Sequence, residues 1–257
     1  MKNLPPELLG EIIDHLPPHR ERSFRNCSLV AKSWTYPAQR RLFQYVNIWE
    51  DHRLRSWLDT ISPTNAELLH HIRRLHCRIP DVPGSLYGSG GTVDFFRDYP
   101  PSFCQLECLV LFSGCLMRLT QIWTPSAFQN TLSLLCLCGS SVAVGALAAL
   151  LNYFHNLTRL DLIALTHKAD GQRVPPLSRP LQELSVTEFH GRSGEDLLDQ
   201  LMALRPQCEK VTIGKFWSCP LLAQHIINGV EASIKRLNIK TASGVRTTFP
   251  KSCCEGD

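Results

Sequence analysis

Leu157-Thr158-Arg159-Leu160-Asp161-Leu162 is the clearest of seven copies of one apolar phrase, Leu-x-x-Leu-x-Leu or a close variant, between residues 72 and 239. The others are Ile72-x-x-Leu75-x-Cys77, Leu106-x-x-Leu109-x-Leu111, Leu132-x-x-Leu135-x-Leu137, Leu181-x-x-Leu184-x-Val186, Cys208-x-x-Val211-x-Ile213 and Ile234-x-x-Leu237-x-Ile239. Their middle residues fall at 75, 109, 135, 160, 184, 211 and 237, so the steps are 34, 26, 25, 24, 27 and 26. A near-constant step of this size is what a solenoid of short structural repeats produces.

Two periods operate inside each unit. Apolar residues two apart, such as Leu160 and Leu162, face one side of a short strand, while the first Leu anchors the turn that leads in. Between the phrases lie stretches with helical spacing. The clearest runs from Val142 to Phe154, with Ala143, Leu147, Leu150, Leu151 and Phe154 on one face and Ser140 and Ser141 as candidate caps. Glu195 to Leu204 and Leu221 to Glu231 read the same way. No single unit can bury its apolar edge alone, but stacked neighbours can. Strand, turn and helix in repetition resemble a degenerate leucine-rich-repeat horseshoe, an α/β fold with a parallel concave sheet. That family's pattern also places Asn or Cys three residues after the last Leu. Here those positions hold Gly114, Ser140, Leu165, Phe189, Phe216 and Ala242, so its side-chain hydrogen-bond ladder is missing.

Residues 3–43 carry a different pattern. Pro5 and Pro6 suit a helix's first turn, and Glu7 complements the positive end of the dipole. Leu8, Ile12 and Leu16 recur every four residues, with Leu9 and Ile13 one step round, until Pro17 and Pro18 stop the element. A second helix is expected from Glu21 to Trp34, and a third opened by Pro37 and ending near Phe43. Three short helices make a very small core, and a partner would help to cover the apolar excess.

Leu4-Pro5-Pro6-Glu7-Leu8-Leu9, then Ile12-Ile13 and Leu16, then Cys27-Ser28-Leu29-Val30-Ala31-Lys32-Ser33-Trp34, and finally Arg41-Leu42-Phe43 resemble an F-box, in the version common in fungi. The domain plan that follows is an F-box over 1–45, a linking region that approaches the solenoid over 46–71, and degenerate repeats over 72–257. The resemblance implies binding to the Skp adaptor of a cullin-RING ubiquitin ligase, with the repeats selecting a protein substrate. It implies adaptor contacts at Leu4, Pro5, Leu8, Ile12, Leu29, Val30 and Trp34. On this reading the chain is a non-catalytic receptor subunit, since no nucleophile with a local base context is visible. The alternative is a non-ligase interaction scaffold whose F-box has drifted.

Residues alternating with the inward Leu should line the concave face: Arg74, His76 and Arg78; Cys108, Val110 and Phe112; Leu134, Cys136 and Cys138; Arg159, Asp161 and Ile163; Glu183, Ser185 and Thr187; Lys210 and Thr212; Arg236, Asn238 and Lys240. Val110, Phe112 and Leu134 would then offer an apolar patch to the substrate, flanked by Arg74, Arg159, Lys210 and Arg236 for an acidic or phosphorylated segment. The loop from Pro80 to Pro101 is the competing cover for that patch.

Composition bounds these expectations. The 257 residues are 44% hydrophobic and 19% charged, as in a globular protein. No apolar run approaches the ~20 residues of a membrane span, and the first sixteen residues lack a secretory pattern, so an intracellular location in cytoplasm or nucleus is expected. A formal charge of +4 is small and scattered, which argues against nucleic acid. Eleven cysteines without a CxxC pair support neither a metal site nor a disulfide framework, and no cofactor is expected. The cluster His70, His71, His76 and Cys77 reads as a helix end leading into a strand.

Overall fold

The computed structural model describes residues 4–17, 21–48, 66–78, 104–115, 129–142, 144–167, 177, 179–188, 201, 207–214, 234–240 and 246–250. Helix α1 (Pro6–Asp14) starts where Pro5 is held extended and Pro6 needs no acceptor for an N–H. Helix α2 (Glu21–Val30) ends at Ala31, whose extended backbone (φ −161°, ψ 158°) breaks the helical run before α3 (Lys32–Gln44). The expected helix boundary at Pro37 is therefore corrected. Pro37 lies inside α3, and Trp34 belongs to the third helix. The break is tied by Trp34 N–H donating to Ala31 O at 2.9 Å and the Thr35 hydroxyl donating to Ser28 O at 3.0 Å.

These three helices enclose a core of Ile13, Phe24 and Ala38, with Leu16, Cys27, Trp34 and Leu42 packed against it. Asp14 joins α1 to α3 by ion pairs with Arg41 at 3.1 Å and Arg40 at 3.4 Å.

Helix α3 runs directly into strand β1 (Tyr45–Ile48), which no repeat phrase announces. After α4 (Ala66–Leu69) come β2 (Arg74–Arg78), β3 (Cys108–Cys115), β4 (Leu134–Val142), α5 (Val144–Tyr153), β5 (Arg159–Ile163), the short β6 (Thr166–His167), β7 (Leu181–Thr187), β8 (Cys208–Gly214), β9 (Arg236–Lys240) and β10 (Arg246–Pro250). Strands β1 to β9, with β6 set aside, form one sheet in sequence order, every neighbouring pair parallel. That is an α/β repeat solenoid. The last strand, β10, pairs antiparallel with β9, so the tail covers the open edge of the final parallel strand. The helices expected at 195–204 and 221–231 lie outside the described residues, apart from the helical and buried Leu201.

Register follows the sequence phrase. Val46, Leu75, Leu109, Leu135, Leu160, Leu184, Val211 and Leu237 are direct neighbours across eight strands, and all are buried. Two residues on, Ile48, Cys77, Leu111, Leu137, Leu162, Val186 and Ile213 make a second buried row. A third comes from the phrase heads Ile72, Leu106, Leu132, Leu157, Leu181, Cys208 and Ile234. Helix α5 closes over these rows with Val144, Leu147, Ala148, Leu150, Leu151 and Phe154. The expected caps Ser140 and Ser141 instead extend β4, where they pair with Gly114 and Cys115.

A ladder does bind successive units, at the head of each strand. The carbonyls of Arg73, Glu107, Ser133 and Thr158 each accept two N–H donors from the next repeat, at 2.8–3.0 Å. Hydroxyls reinforce it, Thr131 donating to Leu106 O and Thr158 to Ser133 O. Gly139 within β4, Ala164 just past β5 and Glu188 just past β7 stand one residue beyond the neighbours Cys138, Ile163 and Thr187, and all three have φ between 52° and 62°. A left-handed turn thus repeats at one register in three consecutive units.

Candidate functional site

Leu8 and Ile12 lie four apart on α1 and point away from the helical core that Ile13, one step round, fills. Leu8 is 44% exposed and Ile12 42%, whereas Leu9 and Ile13 are buried. Leu4, just before the helix, is 48% exposed, and Pro5 beside it is exposed. At the end of α2, Leu29 and Val30 are 84% and 68% exposed, because the helix breaks at Ala31 and leaves them without a covering element. Trp34 behaves differently. It is half-buried and packs on the small core. Six of the seven residues expected at an adaptor contact are therefore open to solvent.

Among the described residues, the large exposed apolar side chains are these five, Tyr36 and Tyr45. All lie within residues 4–45, and only Tyr45, on β1, belongs to the sheet. Sequence reading missed the two tyrosines. Tyr45 could have been found from Tyr45-Val46-Asn47-Ile48, whose strict alternation marks a strand before the first phrase.

The far face of the sheet, opposite the core, carries three rungs. The first is Tyr45, Arg74, Cys108, Leu134, Arg159, Glu183, Lys210 and Arg236; the second is Asn47, His76, Val110, Cys136, Asp161, Ser185, Thr212 and Asn238. Phe112, Cys138, Ile163 and Thr187 belong to the third. The structure thus brings all seven residues expected at a substrate surface to one face.

They are not equally presented. Val110 is buried at 7% exposure, while Phe112 and Leu134 are half-buried, so the apolar strip is more enclosed than an open patch. The expected flanking charge also changes character. Arg159 donates to both carboxylate oxygens of Asp161, at 3.1 and 3.0 Å, and Lys210 donates to Glu183 at 2.6 Å. Glu183 also stands 3.8 Å from Arg159. These pairs hold the Arg159 guanidinium even more firmly protonated than usual, chiefly through its hydrogen bonds to Asp161. The middle of the face is a neutral row of alternating charge.

At the β1–β3 end, Tyr45 O–H reaches His76 Nδ1 at 3.1 Å and the rings meet edge to face, with centroids 4.8 Å apart. Phe112 follows at 6.3 Å from His76. Burial, assisted by the Arg74 charge, lowers the His76 pKa and so favours the neutral ring. Cys77, the next residue, faces the core and its thiol is pushed up to about 12 by burial. Residues His76 and Cys77 therefore diverge, and no group of three metal-ligating side chains converges among the described residues.

The chain matches no family model, and no curated protein is significantly similar to it. The reading of the two surfaces consequently stands on their own geometry. No described helix is long and apolar enough to cross a membrane.

Proposed function

We propose that this protein is the substrate-recognition subunit of a Skp-cullin-F-box ubiquitin ligase. The helical unit would hold the Skp-type adaptor and, through it, a cullin, and the leucine-rich repeats would hold a protein substrate. One observation carries the reading. Among the described residues, five of the seven large exposed apolar side chains are Leu4, Leu8, Ile12, Leu29 and Val30, positions that the F-box resemblance assigns to the adaptor. So many solvent-facing apolar side chains on a unit with so small a core favour an interface. The far face of the solenoid supplies the second requirement, a broad surface with mixed apolar and paired-charge character for a protein ligand.

The chemistry of ubiquitin transfer would belong to other subunits. The test is co-purification of the full chain with a Skp-type adaptor, comparing native protein with a Leu4→Ala, Leu8→Asp variant whose circular dichroism is unchanged. Binding by the native chain and its loss in the variant is the expected result. A folded native chain that binds no adaptor would overturn the ligase reading and leave an interaction scaffold.

A further inference from the structure

We propose that Cys136 and Cys138 form an oxidisable dithiol on the far face of β4, a modification site that takes a peroxide as co-reactant and closes to an intrastrand disulfide. The two residues are separated by one position in a strand, so their side chains leave the same face. Their sulfurs stand 3.5 Å apart, in direct contact. Residues two apart in a strand have Cα atoms about 6.4–6.8 Å apart from the rise alone, which is the upper end of the ~4.4–6.8 Å that disulfides accept. Gly139, at φ 60°, departs from extended backbone directly after Cys138.

The chemistry divides between them. Either sulfur can donate in this contact, which lowers the Cys138 pKa below the ordinary thiol value, against the opposing effects of burial and of Asp161 and Glu188 nearby. The same contact, with burial, raises Cys136. Cys138, half-buried where Cys136 is buried, is the sulfur that a peroxide reaches first and so the nucleophile, and Cys136 is the resolving thiol. The Cys138 thiolate attacks one peroxide oxygen; with a proton taken up, the O–O bond breaks, water leaves, and sulfenic acid remains. Cys136 sulfur then attacks the Cys138 sulfur, the S–O bond breaks, the thiol proton leaves with the hydroxyl as a second water, and the disulfide forms. Two electrons pass from the thiol pair to the peroxide. Because the ring closes near the limit of reach, the disulfide is a readily reduced one, so the modification reverses in the presence of a small thiol.

The consequence falls on the candidate partner surface. Cys136 pairs with Val110 and Asp161 on the second rung, and Cys138 with Phe112 and Ile163 on the third. Closing the ring draws together two rungs at the apolar strip. By contrast, Cys77 and Cys208 face the core, with thiols pushed up to about 12 by burial, and take no part.

Trypsin isolates the pair, because cleavage after Arg118 and Arg159 gives a peptide whose only cysteines are Cys136 and Cys138. The folded full chain is treated with hydrogen peroxide, denatured, alkylated, digested and weighed. The expected peptide lacks both alkyl groups, is lighter by two hydrogens than the reduced form, and regains alkylation after dithiothreitol. In the Cys136→Ser variant, Cys138 should stop at sulfenic acid and be captured by dimedone. The proposal is overturned if the native peptide stays doubly alkylated while the exposed Cys104 oxidises, or accumulates oxygen without closing. A native-like disulfide at Cys138 in the Cys136→Ser variant would equally overturn it, by showing another partner.

Discussion

Ile12 and Ile13 adjoin on α1, yet one is 42% exposed and the other fully buried against Phe24 and Ala38. Replacing each by alanine is a controlled comparison. Both changes improve helix propensity by the same few tenths of a kcal/mol, so that contribution cancels in the difference. Ile13→Ala removes a side chain from a packed core and should destabilise the helical unit by about 2–5 kcal/mol. Ile12→Ala gives up only the buried part of a side chain that is nearly half in water. Its transfer loss, scaled from ~1.5–3 kcal/mol for full burial, is about 1 kcal/mol, partly offset by propensity. The gap between the two should therefore exceed about 1 kcal/mol. Hydrogen exchange resolved by peptide mass spectrometry reads the unit itself, independently of the solenoid, through the amides of residues in α1 and α3. Adaptor affinity should invert the order at a concentration where both variants stay folded, with Ile12→Ala weakening binding more than Ile13→Ala. Equal loss of protection in the two variants would refute the assignment of Ile12 to an open surface.

Three further outcomes follow from the solenoid. His76 has a lowered pKa in the folded chain against an ordinary value of 6.5, so the unfolded chain binds more protons between those two values. Its contribution is fully present above 6.5 and lost as pH falls below it, so thermal stability should drop from pH 7 to pH 5 by less in a His76→Gln variant than in the native chain. Glu183→Gln removes the shared partner of Lys210 and Arg159, which is about 0.2–1 kcal/mol per partly exposed pair; the loss measured by urea titration should shrink at high salt. Gly139→Ala meets no atom within 4 Å yet must hold φ 60°, so a cost of about 1–2 kcal/mol from backbone conformation alone is expected in the same titration, without any cavity or clash to relieve.

The repeat phrase made the sheet legible because it encodes two independent things, the spacing between units and the period within each. Seven middle residues read from sequence are seven direct neighbours in the sheet. The face opposite the core was legible for the same reason, since a period of two fixes both faces at once. The break between α2 and α3 was not. Ala31 is a good helix former, and no residue type there announces the extended backbone, which the hydrogen bonds from Trp34 to Ala31 and from Thr35 to Ser28 accompany. Strand β1 is only four residues long and lacks the Leu that heads a phrase, so its alternation alone announces it. The loop expected as a cover at 80–101 lies outside the described residues. Charge pairing was invisible for a different reason. Glu183 carries no sign of its partners until register sets it between Arg159 on one strand and Lys210 on another.

That pairing bears on how the two surfaces divide their work. In a stack of repeats each unit buries the edge of the one before, and here the final parallel strand is covered by β10, so among the described residues the solenoid exposes no large apolar side chain beyond Tyr45 on β1. The helical unit cannot do this, because three short helices offer more apolar faces than one core can use. Its excess at Leu4, Leu8, Ile12, Leu29 and Val30 favours a tight, mainly apolar contact, in which a few anchors dominate affinity. The far face is the opposite case. With Arg159, Asp161, Glu183 and Lys210 already satisfied, an incoming acidic group gains little there unless it displaces Asp161 or Glu183. Arg74 and Arg236, on strands at opposite ends of the first rung and exposed, form no ion pair with another described residue, so they are where an acidic ligand would gain most. A ligand that spans the face must therefore fit the apolar strip near β3 and β4 and place its charge at an edge, which is a demand on shape and spacing more than on net charge.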